Sequence, residues 1–377
     1  MADFVATLSA QLERDRERLT AALLGGAPRA ADPLPAFVAR HWHPLPPAPG
    51  AADWPAYAVD GSVVQVDLDD GSYLFVVRAL ALGDGGQVWQ RGGVEILPPA
   101  TAASTASRYA DLLQRQHEIA LACEVAGEAA PGSVVFLDGA LYGWLPQLYA
   151  LPAEGVGAAY GPELPDAILA GYLELLAAAA ARGVRIVAVA KTSREAAHCA
   201  LWRDHDGRAD LVLPDTLTDS ALIHRHTDDR AGVSTPVILG TRAFSGGSRA
   251  ILERPAVAAS PAIVSCFARL ADLDDALRID VPATQCGLDA RLADVAGELG
   301  GAVVPDGRAA IAPTLALLRA EYGGLAVYNA LLYSVDREVR LHRATVAEVY
   351  LPIVEQSLGL RVRLDRAERR FAGARSA

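Results

Sequence analysis

From residue 2 to 25 the apolar positions Phe4, Val5, Leu8, Leu12, Leu19, Leu23 and Leu24 recur at helical spacing among Glu13, Arg14, Asp15, Arg16, Glu17 and Arg18. That period predicts an amphipathic N-terminal helix ending at Gly25-Gly26. Residues 28–55 then hold eight prolines and no period, which predicts a linker laid over the surface. From Ala56 the period shortens. Runs at 56–59, 62–67, 73–80 and 88–97, separated by Asp-Gly and Gly-Gly turn signals, predict a meander of hairpins. Helical patterns follow at 103–126 and 165–182, with buried strands predicted at 133–138 and 184–190. Strands in a run, then strands alternating with helices, predict an α/β fold: a mixed sheet with helices on its faces. Residues 203–257 are richer in loops, and apolar runs at 237–240, 262–270 and 278–282 predict further strands on the same sheet. Helices are predicted again at 288–299 and, interrupted by Gly323-Gly324, at 313–332.

The chain has 377 residues, 52% hydrophobic and 21% charged, a composition that supports a sizeable core and rules out disorder or a fibrous repeat. Among 34 basic residues a single one, Lys191, is lysine. It follows Ala188-Val189-Ala190, so no Gly-x-x-x-x-Gly-Lys loop exists and P-loop ATP binding is excluded. A net charge of -11 argues against a surface coated for nucleic acid, though it leaves room for a local basic groove. Cys123, Cys199, Cys266 and Cys286 form no Cys-x-x-Cys pair, so neither a zinc cage nor a disulfide framework is expected, which suits the cytoplasm. The first ten residues carry an aspartate where a signal peptide carries positive charge. The apolar stretch 167–190 is broken by Glu174, Arg182, Gly183 and Arg185, so membrane insertion is not expected.

Two aspartates stand at predicted strand ends, each before glycine: Val59-Asp60-Gly61 and Leu137-Asp138-Gly139. Rigid strands position such carboxylates and the glycines permit close approach, so together the pair points to a hard divalent cation; singly, each reads as an ordinary Asp-Gly turn. A third acid is expected from the helix between them. Glu118 and Glu124 are six residues apart, about 120° around a helix axis, so only one can face the site. Apolar neighbours favour Glu118. Lys191 closes the strand 186–190 at the same type of position, where a compact cation suits a phosphate better than a planar guanidinium.

In this order and spacing, Ala58-Val59-Asp60-Gly61-Ser62, the Glu118 helix, Val135-Phe136-Leu137-Asp138-Gly139, Val189-Ala190-Lys191-Thr192-Ser193 and Arg278-Ile279-Asp280-Val281-Pro282 resemble the NurA nuclease family. The resemblance covers roughly Ala56 to Tyr350. It implies an RNase H-like fold with insertions, and a manganese-dependent DNA nuclease, with magnesium as the alternative ion. The implied activity is 5′ to 3′ exonuclease and single-strand endonuclease cleavage in DNA end processing and repair, by a homodimer working with a HerA-type hexameric ATPase. Asp60, Glu118 and Asp138 would hold the metal and Lys191 would contact phosphate. The family's tyrosine and histidine near its C-terminal end map onto Tyr322 and Asn329, with Asn329 as a further metal ligand through its amide oxygen; Asp336 and His342 are nearby substitutes. The expected organisation is a helix and linker over 1–55, a nuclease domain over 56–350 and an Arg-rich tail over 351–377. Two ions about 4 Å apart would activate water and stabilise the leaving 3′ oxygen.

A phosphatase-like hydrolase and a non-catalytic subunit that grips DNA and partner are the competing classes. Val66-Asp67-Leu68-Asp69-Asp70-Gly71-Ser72 resembles a phosphatase signature, but strand-like residues follow it, which predicts a hairpin turn instead. His41-Trp42-His43 is expected to be a surface aromatic cluster, and His224-Arg225-His226 with Asp228 and Asp229 a solvated loop.

Overall fold

The computed structural model describes residues 2–24, 32–47, 54–148, 163–214, 217–242, 244, 246–296 and 300–366. Its strands are β1 (Trp42–His43), β2 (Ala56–Asp67), β3 (Tyr73–Gly83), β4 (Val88–Leu97), β5 (Val134–Asp138), β6 (Arg185–Ala190), β7 (Gly232–Ser234), β8 (Val237–Leu239), β9 (Ile263–Arg269), β10 (Leu277–Pro282) and β11 (Gly301–Val303). They form one mixed sheet in the order β1-β7-β9-β10-β6-β5-β2-β3-β4, with β8 paired to β9 off this path and β11 paired to β8. The expected meander is present: β2, β3 and β4 are successive antiparallel neighbours. β5 then joins β2 in parallel and β6 joins β5 in parallel, each after a helix. This is the mixed sheet flanked by helices that the patterning predicts.

Two cores lie on the two faces. Tyr57, Val59, Val135, Ile186 and Ala188 face the helices Ala103–Glu128 and Glu163–Arg182, whereas Ala58, Phe136, Val187 and Val189 join Leu332, Val335 and Val339 of the helix Ala330–Val339. The alternation is the pleat's period of two, read along strands buried on both sides. Glu163–Arg182 is long and apolar enough to cross a membrane by length and composition. Here its Leu164, Ile168, Leu169, Tyr172, Leu175 and Leu176 enter the first core, beside Leu121 and Val125 of the other helix.

Several elements differ from expectation. The runs 56–59 and 62–67 are one unbroken strand, so Asp60-Gly61 lies inside β2 and forms no turn. Pairing with β5 as far as Val59, and with β3 on through Gly61 opposite Ala79, holds that backbone extended through the glycine. The stretch expected to be a linker contains a helix, Leu34–Arg40, with Leu34, Phe37 and Val38 buried, followed by β1 paired to β7. His41 is accordingly buried: it stacks on Trp202 at 4.9 Å, with Asp206 and Thr235 on its two ring nitrogens at 3.2 and 3.1 Å. His224 and His226 end a helix, Asp219–His226, capped by Thr218. No helix forms over 288–296, because that backbone bonds to the segment before β9, Ala262 N to Ala290 O and Leu292 N to Ser260 O; residues 297–299 lie outside the described set. The signature around Asp67–Ser72 is the predicted hairpin turn, with Gly71 at φ +84 and Leu68 N bonded to Ser72 O. The expected tail over 351–377 begins as a helix, Leu351–Leu358, and then lies along that hairpin, Leu364 bridging Leu68. Arg369, Arg370 and Arg375 lie outside the described residues.

Candidate metal-binding active site

Strand alternation decides which side chains meet. Asp60 is two residues beyond Ala58 on β2, and Asp138 is two beyond Phe136 on β5, so both project from the face covered by the helix Ala330–Val339. The strands are parallel and in register, Val59 opposite Leu137, which places the two carboxylates side by side. The helix supplies the third: oxygens of Asp60, Asp138 and Asp336 all lie within 4.8 Å of one another. Asp60 is buried, while Asp138 and Asp336 are partly exposed, so the group opens to solvent on one side.

Glu118 reaches the site from the opposite face. Gly61 points toward the Ala103–Glu128 helix, and a Cβ on it would lie 2.6 Å from Glu118 Oε1 and 2.9 Å from Gln114 Cγ. Glycine is required there for the helix to approach. Gln114 Nε2 donates to Glu118 Oε1 at 2.7 Å and Arg115 Nη1 pairs with Oε2 at 3.0 Å, so the carboxylate is fixed before any ligand arrives. Lys191 Nζ donates to Asp138 Oδ2 at 2.9 Å and stands 5.2 Å from the centre of the Tyr328 ring.

The electrostatics show crowded negative charge. Burial, then Asp138, Glu118 and Asp336, push the Asp60 carboxyl up to about 8, against the Gly61 amide that donates to its Oδ1 at 2.7 Å. Burial also raises Glu118, opposed by Arg115 and Gln114. For Lys191 burial acts downward, but Asp138, Asp336 and Asp60 outweigh it and hold the ammonium above its ordinary value. The Tyr328 hydroxyl is raised by burial and by Asp138, Asp60 and Asp336, and it has no hydrogen-bond partner among the described residues.

Of the residues singled out in the sequence, the structure brings together Asp60, Asp138 and Lys191, while Glu118 stands outside the carboxylate trio, on the other side of Gly61 and near enough to act on the Asp60 charge. Tyr322 and Asn329 need correction. The Tyr322 hydroxyl donates to Asp274 Oδ2 at 2.8 Å and does not join the acidic group. Asn329 is the N-cap of the helix Ala330–Val339, and its Oδ1, the atom that would ligate a metal, accepts from Leu332 N at 2.8 Å. Further along the chain Tyr328 and Asp336 stand where Tyr322 and Asn329 were expected, Tyr328 over Lys191 and Asp336 beside Asp60. The register between them is set by where the helix begins, which a strong Asn cap decides. His342 is exposed and precedes a helical turn without capping it.

Residues 55–341 match the family described as the NurA domain. No curated protein matches the sequence. Among solved structures, the NurA nuclease from Sulfolobus solfataricus superposes with a TM-score of 0.58 at 13% identity, covering 95% of this chain and 98% of that one. A NurA structure with manganese gives a TM-score of 0.56 at 13% identity, with 93% and 98% covered. A further NurA structure gives 0.50 at 12% identity, with 94% and 97% covered. At these identities the likeness is one of fold.

Proposed function

The chain belongs to the NurA family, and from that premise we propose that it is a metal-dependent DNA nuclease whose divalent ion, manganese first, is held by Asp60, Asp138 and Asp336. The observation that carries this reading is the trio itself, three carboxylates with oxygens within 4.8 Å. Burial first and the neighbouring carboxylates second resist ionisation of Asp60, and an oxygen-preferring cation relieves both. The donor set therefore fits a hard divalent ion, and the NurA structure with manganese agrees with that choice.

When bound, the ion supplies Lewis acidity and an activated water near neutral pH. The remaining work falls to side chains. Glu118, locked by Gln114 and Arg115, completes the carboxylate set from the other face of the sheet. Lys191 holds positive charge beside Asp138, where a scissile phosphate would develop negative charge. The Tyr328 hydroxyl, within electrostatic reach of Asp138, Asp60 and Asp336 and without a hydrogen-bond partner among the described residues, is a donor available to the same site.

The substrate proposed is single-stranded DNA and DNA ends, cut with 5′ to 3′ polarity and by single-strand endonuclease action during end processing and repair. With no P-loop in the sequence, movement along DNA is assigned to a HerA-type hexameric ATPase acting in trans. A homodimer is proposed as the working unit. Exposed apolar residues support partner surfaces of this kind: Phe4, Val5, Leu8 and Leu12 on the N-terminal helix, and Val349, Ile353 and Leu358 near the other end.

The test is cleavage of single-stranded DNA by the purified chain with manganese, beside Asp60→Ala, Asp336→Asn and Lys191→Arg. Cleavage that survives Asp60→Ala sinks the site. No cleavage by the wild type, even with the ATPase present, favours a subunit that only grips DNA and partner.

A further inference from the structure

Asp280 sits in β10 with no exposed surface, on the face opposite the metal-ligating carboxylates. Its neighbours Ile279 and Val281 point into the Ala330–Val339 core, so Asp280 and Arg278 point the other way. The Asp280 carboxylate takes four donors. Oδ1 accepts from Ser265 Oγ at 2.6 Å and Arg278 Nε at 2.8 Å, and Oδ2 from Arg278 Nη2 and the Leu141 amide, both at 3.0 Å. The third Arg278 contact runs from Nη1 to Glu195 Oε1 at 3.0 Å.

Those two outward contacts land on the two loops of the active site. Leu141 belongs to the loop that leaves β5 at Asp138, and Glu195 to the loop that leaves β6 at Lys191. Across the sheet edge the same loops deliver the Lys191 to Asp138 bond of 2.9 Å. Arg278 and Asp280 thus form a brace between the loops, with Glu195 as its outer arm. The Glu195 carbonyl also accepts from Asp219 N at 2.9 Å, tying the second loop to the next helix. A buried ion pair of this kind adds little stability over an apolar pair of similar volume, since desolvation consumes most of the attraction. Position is what it supplies.

Behind the brace, Asp219, His198 and Ser265 follow one another at hydrogen-bond distance, 3.2 and 3.1 Å, in the order of a hydrolase triad. Ser265 has no exposed surface and gives its proton to Asp280, so it is no nucleophile. The row instead backs the carboxylate that clamps Leu141.

We infer that Glu195, Arg278 and Asp280 are positioning residues that hold Lys191 against Asp138, so that the phosphate-facing ammonium is in place before DNA binds. This rests on the nuclease reading for its kinetic consequence but not for its geometry.

Glu195→Gln is the primary test, because its partly exposed side chain can change without emptying the core; Asp280→Asn is the second variant. Steady-state cleavage of single-stranded DNA with manganese is measured in the wild-type and Lys191→Ala backgrounds. Displacing Lys191 should lower kcat about tenfold for Glu195→Gln, with KM for DNA and Tm unchanged. In the Lys191→Ala background the same change should move kcat less than about twofold, since the side chain it positions is gone. Lys191 is the only lysine, so carbon-13 lysine labelling yields a single ε-methylene signal. Its two inequivalent proton shifts in the wild type should average to one in either variant. An equal loss of kcat in both backgrounds, or an unaltered lysine signal, overturns the inference. A wild type that cuts no DNA would defeat the nuclease reading while the lysine signal still decides the positioning.

Discussion

The carboxylates of Asp60 and Asp336 meet within 4.8 Å, one from the middle of a central strand and the other from a helix that packs on that strand near the end of the matched region. Asp336 therefore occupies the place assigned by resemblance to Asn329. Asp336→Asn should lower manganese-dependent cleavage by at least about 100-fold and weaken manganese binding in an electron paramagnetic resonance titration. Asn329→Ala should leave manganese binding unchanged and lower stability by about 1 kcal/mol in chemical denaturation, because it removes a helix cap. Reversed outcomes would return the ligand role to Asn329.

Gly61 and Glu118 constrain each other. Gly61→Ala would place a methyl group 2.6 Å from Glu118 Oε1, and neither Glu118 nor Gln114 has free room to retreat while both keep their bonds. We expect a folded protein by circular dichroism whose kcat falls about tenfold or more. Full activity would show that Glu118 tolerates displacement and contributes nothing at the metal.

The raised Asp60 couples metal binding and stability to pH. Its folded-state value of about 8 exceeds the ordinary carboxylate value of 3.8, so the folded state binds the proton more tightly. In metal-free protein this stabilising contribution is present at acid pH and is lost as pH rises from about 4 to about 8. Melting temperature without metal should fall across that window, and the gain on adding manganese should be larger at pH 8 than at pH 6. Calorimetry in matched buffers measures both. A manganese effect independent of pH would remove Asp60 from the ligand set.

Tyr328 carries a buried hydroxyl with no partner among the described residues, which costs stability and supplies a ready donor. Tyr328→Phe should raise stability by about 1 kcal/mol while lowering kcat about 100-fold, with KM for DNA little changed. Activity equal to wild type in the stabilised variant would rule out a catalytic hydroxyl.

Much of the fold was legible along the chain because it depends on local pattern. The alternation from Ala56 to Leu97, the helices around Leu112 and Leu169, and the strands ending at Asp138 and Ala190 needed no partner to be recognised. Asp60, Asp138 and Lys191 stood out because each follows a short apolar run in the sequence. The helix predicted over 288–299 does not form over its described part, 288–296, because that segment's backbone is taken by the one before β9, and the expected linker failed because His41, with Phe37 against it, buries itself on the distant Trp202. Asp336 carried no distinguishing pattern: on its own helix it is one more polar residue beside the buried Val335.

Residue type and spacing alone were enough to settle a single lysine, the lack of a P-loop, a mixed α/β sheet, and two Asp-Gly pairs on buried strands. Those are properties of composition and of periods a few residues long. Which carboxylate completes the trio, which tyrosine stands over Lys191, and how Arg278 and Asp280 tie two loops together depend on packing between segments far apart in the chain. Those contacts follow from register and crossing geometry of whole elements, and no local pattern encodes them.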